Sequence, residues 1–190
     1  ALRSSGGPFW LRQSVVNIDE KEEEIYFTSL KESSIERHLY RSSIDGSNME
    51  KISDQKGVHK INFSNNGNFY LDIHSDAASP PTLVLYKNDG KKVHTLVGDR
   101  PEIISEYDLQ TPELFTIPTK DNFFMPAQIL KPKNFNKAKK HPIIFHVYGG
   151  PSAPTVFDRW QGHSLFYDNM LLEMGYLIVK FDHRASTAKS

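Results

Sequence analysis

The sequence contains no cysteine in 190 residues. This absence excludes a disulfide framework, a thiol nucleophile and a cysteine-ligated metal site. It does not decide the cellular compartment, because a large secreted protein can also fold without disulfides.

The sequence also lacks net charge and long apolar runs. Its 23 basic residues balance 23 acidic ones, which gives no electrostatic reason to expect a nucleic acid or an anionic membrane as a partner. No window approaches the roughly 18 apolar residues of a membrane-spanning helix, so no membrane segment is predicted. The first residues, 1–8, have neither an initiator methionine nor a signal-peptide core, and we interpret them as the interior of a longer protein.

Motifs for cofactors are absent as well. There is no Walker A loop and no dinucleotide fingerprint, so no nucleotide cofactor is expected. No two of the eight histidines have the i, i+4 spacing of a helical metal site, and no metal is expected. We interpret each histidine as a surface or packing residue.

The first hundred residues contain an internal repeat. Segments 25–46 and 69–90 each hold an aromatic and β-branched run, a polar interval and a second run that ends in Asp-Gly. Asp-Gly pairs supply the positive φ of hairpin turns. The offset of about 44 residues is typical of propeller blades built from four short strands. The pattern predicts about two all-β blades, and an unrelated β-sandwich is the alternative.

The pattern changes after about residue 100, and a domain boundary is predicted at 110/111. Two further strands are predicted at 114–117 and 124–130, followed by a basic loop, 131–140, which we interpret as a solvated connection.

An α/β crossover is predicted next. Residues 142–147 form a near-continuous apolar run, the type buried on both faces of a parallel sheet. Residues 164–174 predict a helix that Gly175 ends, and 176–182 predict a second parallel strand. Two neighbouring stripes are expected on this helix: Leu165, Asn169 and Leu172, and beside them Phe166, Met170 and Met174.

The stretch "HVYGGPSAP", residues 146–154, follows the first of these strands. Ligands of such sheets bind beyond the carboxyl ends of the strands. Gly149 and Gly150 can expose backbone N–H groups, and a Gly-rich loop at this place carries part of the oxyanion hole in α/β-hydrolases. Tyr148 offers a phenolic O–H for the same purpose. The alternative is an ordinary tight turn with Tyr148 half-buried at the strand end.

Longer stretches carry a family resemblance. "HPIIFHVYGGPSAPTV" and "MGYLIVKFDHR" resemble the start of the catalytic domain in the prolyl oligopeptidase family, with a closer likeness to its dipeptidyl peptidase IV branch. "IYFTSLKESSIERHLYRSSIDG" and "INFSNNGNFYLDIHSDAASPPTLVLYKNDGK" are similar to the last propeller blades of bacterial members. "PELFTIPTKDNFFMPAQILKPKNFNKAKKHP" is similar to the strands that open the hydrolase domain. The resemblance implies a mixed fold, with β-propeller blades at 1–110 followed by the N-terminal part of an α/β-hydrolase domain at 111–190.

The resemblance also implies a function. Members are serine exopeptidases that release N-terminal dipeptides, typically after proline or alanine, and they use no cofactor. It implies peptide substrates, a possible homodimer of the full-length protein, and a periplasmic or extracellular location. Tyr148 matches the tyrosine that donates its hydroxyl to the oxyanion, while Gly149, Gly150 and Pro151 would shape its turn. Two further residues, in the segment "FDHR", would shape the loop near the site: Asp182 and Arg184. A salt bridge is the plainer interpretation of these last two residues.

The departures from the family pattern limit the expected activity. No Gly-x-Ser-x-Gly elbow occurs, and in the family the nucleophile, the acid and the histidine follow the "FDHR" segment. The glutamate pair that holds a substrate's amino terminus is expected in an earlier propeller segment, and Glu36 does not match it. Ala185 stands where relatives usually have glycine. The chain alone is therefore predicted to be inactive. The alternative hypothesis is a non-catalytic, β-rich interaction module with a degenerate hydrolase remnant.

Overall fold

The computed structural model describes residues 14–150 and 153–186. These residues fold as two compact units. The first comprises 14–75 and 81–99, and the second comprises 76–80 with the described residues from 100 onward.

The first unit consists of two four-stranded antiparallel sheets in which the strands follow chain order. The first sheet contains β1 (Ser14–Asp19), β2 (Glu24–Ser29), β3 (His38–Ser43) and β4 (Glu50–Lys51). The second contains β5 (Val58–Phe63), β6 (Phe69–Ser75), β7 (Thr82–Lys87) and β8 (Lys92–Val97). Gly46 and Gly90 have φ of 84° and 85° and occupy equivalent turns before the last strand of each sheet. This repeated meander confirms the predicted repeat and is consistent with two propeller blades.

Aromatic side chains form much of the first unit's core. Tyr26 and Tyr70 are almost fully buried and belong to one cluster with Leu39 and Ile61. Phe63 lies between the two tyrosines, with ring centroids 4.9 Å from Tyr26 and 5.2 Å from Tyr70. Aromatic contacts of this kind add to the stabilisation from burial, so the two sheets share one core.

A row of three buried histidines also belongs to this unit. The rings of His38 and His59 lie 5.4 Å apart, and those of His59 and His74 lie 4.5 Å apart. His59 Nδ1 is 2.7 Å from the carboxylate of Asp72. These three histidines pack in the interior, although nothing in their sequence spacing places them together.

The second unit is built on a mixed sheet with strand order β11-β12-β10-β9. Its elements are α1 (Glu102–Glu106), β9 (Glu113–Pro118), β10 (Phe124–Leu130), β11 (Ile143–His146), α2 (His163–Glu173) and β12 (Leu177–Phe181). β11 and β12 are parallel, and the other two pairings are antiparallel. The predicted crossover from β11 through α2 to β12 is confirmed.

The core of the second unit lies between α2 and the sheet. Leu130, Leu165, Leu172 and Ile178 are buried there. Leu109 is buried in the same cluster, so residues 100–110 fold with the second unit, although the sequence pattern places the boundary at 110/111.

One expectation about burial in this unit is wrong. Residues 142–147 were expected to be buried on both faces, yet Ile143, Phe145 and Val147 are about half exposed. The reason is that β11 forms an edge of the described sheet and pairs with β12 alone. The stripe of Phe166, Met170 and Met174 is divided, because Phe166 packs against the core whereas Met170 and Met174 are exposed.

Within the described ranges, none of the helices has the length and apolarity needed to cross a membrane.

Candidate functional site

The candidate site lies where β11 and β12 end. Tyr148 comes two residues after β11, and Asp182 directly follows β12. Because the two strands are parallel and adjacent, their carboxyl ends meet at one edge of the sheet. The structure therefore brings Tyr148, Gly149, Gly150 and Asp182 to the same edge, while Pro151 lies outside the described residues.

The two glycines of this loop have different roles. Gly149 has φ of 74°, a left-handed conformation that residues with a Cβ rarely adopt. A Cβ on Gly150 would lie 2.9 Å from Cζ and 3.1 Å from Oη of Tyr148. The ring of Tyr148 is thus folded against the backbone of Gly150, and its position depends on the missing side chain.

The side chain of Tyr148 is 61% exposed. It is therefore not the half-buried tyrosine of an ordinary turn. A phenolic O–H in this position can donate a hydrogen bond to a negatively charged oxygen of a ligand.

Asp182 holds the return segment of the same loop. It is 2% exposed, and its carboxylate accepts hydrogen bonds from the backbone N–H of Thr155 (2.9 Å), the hydroxyl of Thr155 (2.8 Å) and the backbone N–H of Val156 (2.8 Å). Hydrogen bonds to a carboxylate are stronger than those between neutral groups. Asp182 is therefore a buried clamp on the loop, and no ion pair of Asp182 is found among the described residues.

Arg184 contacts the turn between β9 and β10. It forms an ion pair with Asp121, and its guanidinium lies 4.6 Å from the ring centroid of Phe123. This is the salt bridge of the plainer interpretation, and it connects the segment after β12 to the turn between β9 and β10.

A cleft of about 710 Å³ opens beside Tyr148. His146, Arg159 and Lys180 contribute cationic or ionisable groups to its lining, and Trp160 contributes an aromatic wall. Lys180 Nζ lies 3.2 Å from the buried carboxylate of Asp168. The cleft therefore combines a phenol, cationic groups and an aromatic surface, which suits a polar ligand that carries partial negative charge.

Sequence reasoning missed three residues of this site: Thr155, Asp168 and Lys180. Thr155 donates hydrogen bonds to Asp182, and the buried carboxylate of Asp168 pairs with Lys180. Asp168 occupies the buried stripe of α2 together with Leu165 and Leu172. In the sequence, Asp168 stands between Leu165 and Leu172 at helical spacing. This position could have indicated that Asp168 is buried and has a cationic partner, because unpaired carboxylates are rarely buried.

The described residues do not contain a complete acyl-transfer apparatus. Ser164 and His146 line the same cleft, but no side-chain hydrogen bond joins them among the described contacts, and a nucleophile needs such a base. In the described part of the chain there is also no group of three or more histidine or acidic side chains that could hold a metal ion.

Comparisons with known proteins give the family. The family model described as the dipeptidyl peptidase IV (DPP IV) N-terminal region matches residues 5–81. A relative, the probable dipeptidyl-aminopeptidase B of Emericella nidulans, is 32% identical over 169 residues, which cover 85% of this chain and 18% of the relative. Human dipeptidyl peptidase 8 is 27% identical over 183 residues, which cover 91% of this chain and 20% of the relative. The crystal structure of Porphyromonas gingivalis dipeptidyl peptidase 4 matches with a TM-score of 0.78 and 25% identity over 90% of this chain and 24% of that one.

The chain belongs to the dipeptidyl peptidase IV branch of the prolyl oligopeptidase family. It spans about a fifth of the length of the curated relatives that it matches. The resemblance drawn from the sequence is thereby confirmed at the level of the family.

Proposed function

We propose that this chain is part of a serine-type dipeptidyl peptidase, in which it supplies the oxyanion-stabilising tyrosine. In this proposal the first unit contributes the last blades of a β-propeller, and the second unit opens an α/β-hydrolase domain. The substrates are peptides from which the whole enzyme releases an N-terminal dipeptide that ends in proline or alanine.

One observation carries the proposal: Tyr148 is an exposed phenol held at the carboxyl ends of two parallel strands in a member of this family. Acyl transfer creates an anionic oxygen in its tetrahedral intermediate, and a donor held in place beforehand stabilises that charge. Gly149 and Gly150 set the backbone and the ring position, and Asp182 holds the following segment. These contacts support the role because they restrict where the phenol can point.

The nucleophile, the acid and the histidine are proposed to come from other parts of the polypeptide. Within residues 14–150 and 153–186, Ser53 lies 3.1 Å from Nδ1 of His38, but both side chains are buried in the first unit and give no accessible nucleophile. The sequence has no Gly-x-Ser-x-Gly elbow. We therefore propose that the 190-residue chain alone hydrolyses no peptide.

The test uses the full polypeptide that carries this sequence, assayed with glycyl-prolyl p-nitroanilide. Tyr148→Phe removes one oxyanion donor and should lower kcat about 10²- to 10³-fold with a smaller change in KM. Tyr167→Phe is the matched control, because Tyr167 is a similarly exposed tyrosine on α2, and it should keep full activity.

Three results would contradict the proposal. Equal kcat for Tyr148→Phe and the unchanged enzyme would exclude the oxyanion role. Failure of the full polypeptide to react with a fluorophosphonate serine probe would exclude the serine mechanism and favour the non-catalytic interaction module. Hydrolysis by the isolated 190-residue chain would contradict its proposed inactivity.

A further inference from the structure

A second pocket, of about 370 Å³, lies within the first unit. Residues 52–55, which follow β4, form one wall, and one face of β6, β7 and β8 forms the other. β4 is only two residues long, so the chain leaves the sheet early and does not cover this face. We call this space the β6–β8 pocket.

The β6–β8 pocket is lined by a carboxylate that is only half satisfied. Asp72 is 4% exposed, and its Oδ2 lies 2.7 Å from Nδ1 of His59. Its other oxygen, Oδ1, is buried and has no hydrogen-bond partner among the described protein groups. A buried carboxylate oxygen without a donor is unfavourable, so a ligand that reaches Oδ1 with an N–H group would satisfy an acceptor that the described protein groups leave unsatisfied.

Two stacked tyrosines complete the wall around this oxygen. The rings of Tyr70 and Tyr86 lie 5.2 Å apart and nearly parallel, and both residues line the pocket. Burial raises the pKa of Tyr86, and the carboxylates of Asp72 and Asp54 raise it further. The same two carboxylates act on Tyr70 after the larger effect of burial. The pocket is therefore aromatic, and three carboxylates, those of Asp54, Asp72 and Asp99, line it against one lysine, Lys92.

This combination selects for an organic cation. The described residues hold no group of three or more histidine or acidic side chains suited to a metal ion, and a hard cation requires about six oxygen ligands. An ammonium group needs fewer partners, because it can donate to one carboxylate while its alkyl part contacts aromatic rings. We propose that the β6–β8 pocket binds a primary alkylammonium group, with Oδ1 of Asp72 as its acceptor. This site does not depend on the proposed peptidase activity.

The binding test is isothermal titration calorimetry of the 190-residue chain with n-butylammonium. Butyrate and n-butanol are the matched probes, because they have the same length with a negative charge or with none. Saturable 1:1 binding of n-butylammonium in the millimolar range is expected, with binding of the two other probes at least about tenfold weaker. Equal binding of n-butanol would show an apolar cavity only. Absence of saturable binding would show that Oδ1 holds no more than water. Either result overturns the proposal.

Two variants locate the site. Asp72→Asn should weaken n-butylammonium binding about tenfold or more, but it also removes the partner of His59. Thr95→Phe avoids that difficulty, because Thr95 lines the pocket from β8 and a larger side chain fills the space while all charges remain. His94→Phe is its control, since adjacent strand residues point to opposite faces. Loss of binding in Thr95→Phe but not in His94→Phe supports the pocket, and unchanged binding in Thr95→Phe overturns it.

Two further comparisons test the charge and the source of the ligand. Lys92 also lines the pocket, but it is exposed and forms no ion pair with Asp72 among the described contacts. Lys92→Gln should therefore bind n-butylammonium at least as tightly as the unchanged chain, and weaker binding would contradict a cation site. Nα-acetyl-lysine methylamide distinguishes the two sources of the ammonium group. Binding equal to that of n-butylammonium points to a lysine side chain, and exclusion of the larger molecule points to a free amine.

Discussion

Removal of the Asp182 carboxylate should destabilise the second unit. Asp182 is buried at the end of β12 and accepts hydrogen bonds from two backbone N–H groups and one hydroxyl of residues 155–156. Asp182→Ala leaves both N–H groups without an acceptor. Asp182→Asn keeps one oxygen for them, and its amide N–H₂ can donate to the hydroxyl of Thr155 instead of accepting from it.

The expected free energies follow from these contacts. An unsatisfied buried group costs about 1–3 kcal/mol. Val156 is fully buried, whereas Thr155 is only half-buried, so water can replace part of the loss at Thr155. We therefore expect Asp182→Ala to lower the free energy of unfolding by about 3 kcal/mol. Asp182→Asn loses only the charge assistance, for which about 1 kcal/mol is expected.

Urea unfolding followed by tryptophan fluorescence measures this effect. The chain has two tryptophans, and Trp160 packs against the core of the second unit. A Trp10→Phe background therefore makes Trp160 the single reporter. Asp121→Asn is the matched control, because it makes the same chemical change at an exposed carboxylate that pairs with Arg184, and exposed pairs contribute little.

The ranking of the variants decides the outcome. Asp182→Ala should unfold at a clearly lower urea concentration than Asp182→Asn, and Asp121→Asn should resemble the unchanged chain. If Asp182→Ala unfolds at the same urea concentration as Asp121→Asn, the carboxylate does not clamp the loop and the reasoning fails.

Two other predictions concern the loop and the alkaline limit of the fold. Gly150→Ala places a Cβ within about 3 Å of the Tyr148 ring and should lower kcat of the full polypeptide about tenfold or more. Gly98→Ala is the control and should leave kcat unchanged, because its Cβ meets no atom closer than 3.9 Å. Equal activities of the two variants would disprove the ring contact. Burial, reinforced by a hydrogen bond to Glu24, raises the pKa of Tyr26 from 10.0 to about 12. The folded state keeps this proton between about pH 10 and 12 while the unfolded state loses it, so the stabilisation is complete below about pH 10 and declines up to about pH 12. Ultraviolet titration measures the pKa of Tyr26 in the unchanged chain and in Glu24→Gln, and the variant should titrate at lower pH because it lacks the Glu24 carboxylate. A pKa of Tyr26 near 10 in the unchanged chain would contradict the predicted loss of stability at alkaline pH.

The sequence was sufficient to predict most of the secondary structure and the family. Strand runs separated by Asp-Gly pairs are local signals, because a hairpin turn requires a particular φ at the residues themselves. The helix that Gly175 ends is predicted for the same reason, and Gly175 has φ of 89°. The position of Tyr148 after a strand followed from strand–loop–helix order alone, since parallel strands need a crossover.

Burial and partner choice could not be predicted in the same way. Residues 142–147 were predicted as a strand buried on both faces, but an apolar run does not show whether neighbours cover it, and β11 lies at an edge of the described sheet. Asp182 and Thr155 are 27 residues apart, and no periodicity connects them. His59 and Asp72 meet because β5 and β6 pair antiparallel in one particular register.

The sequence by itself determined the elements, their order, the turn positions and the family, because these depend on short-range steric preferences and on contiguous motifs. Only the tertiary structure decided that Tyr148 is exposed against Gly150, that Asp182 holds the loop, and that one buried oxygen of Asp72 has no hydrogen-bond partner among the described residues. These features depend on which surfaces meet after the strands pair, and hydrogen bonding and burial at such contacts join residues that are distant along the chain.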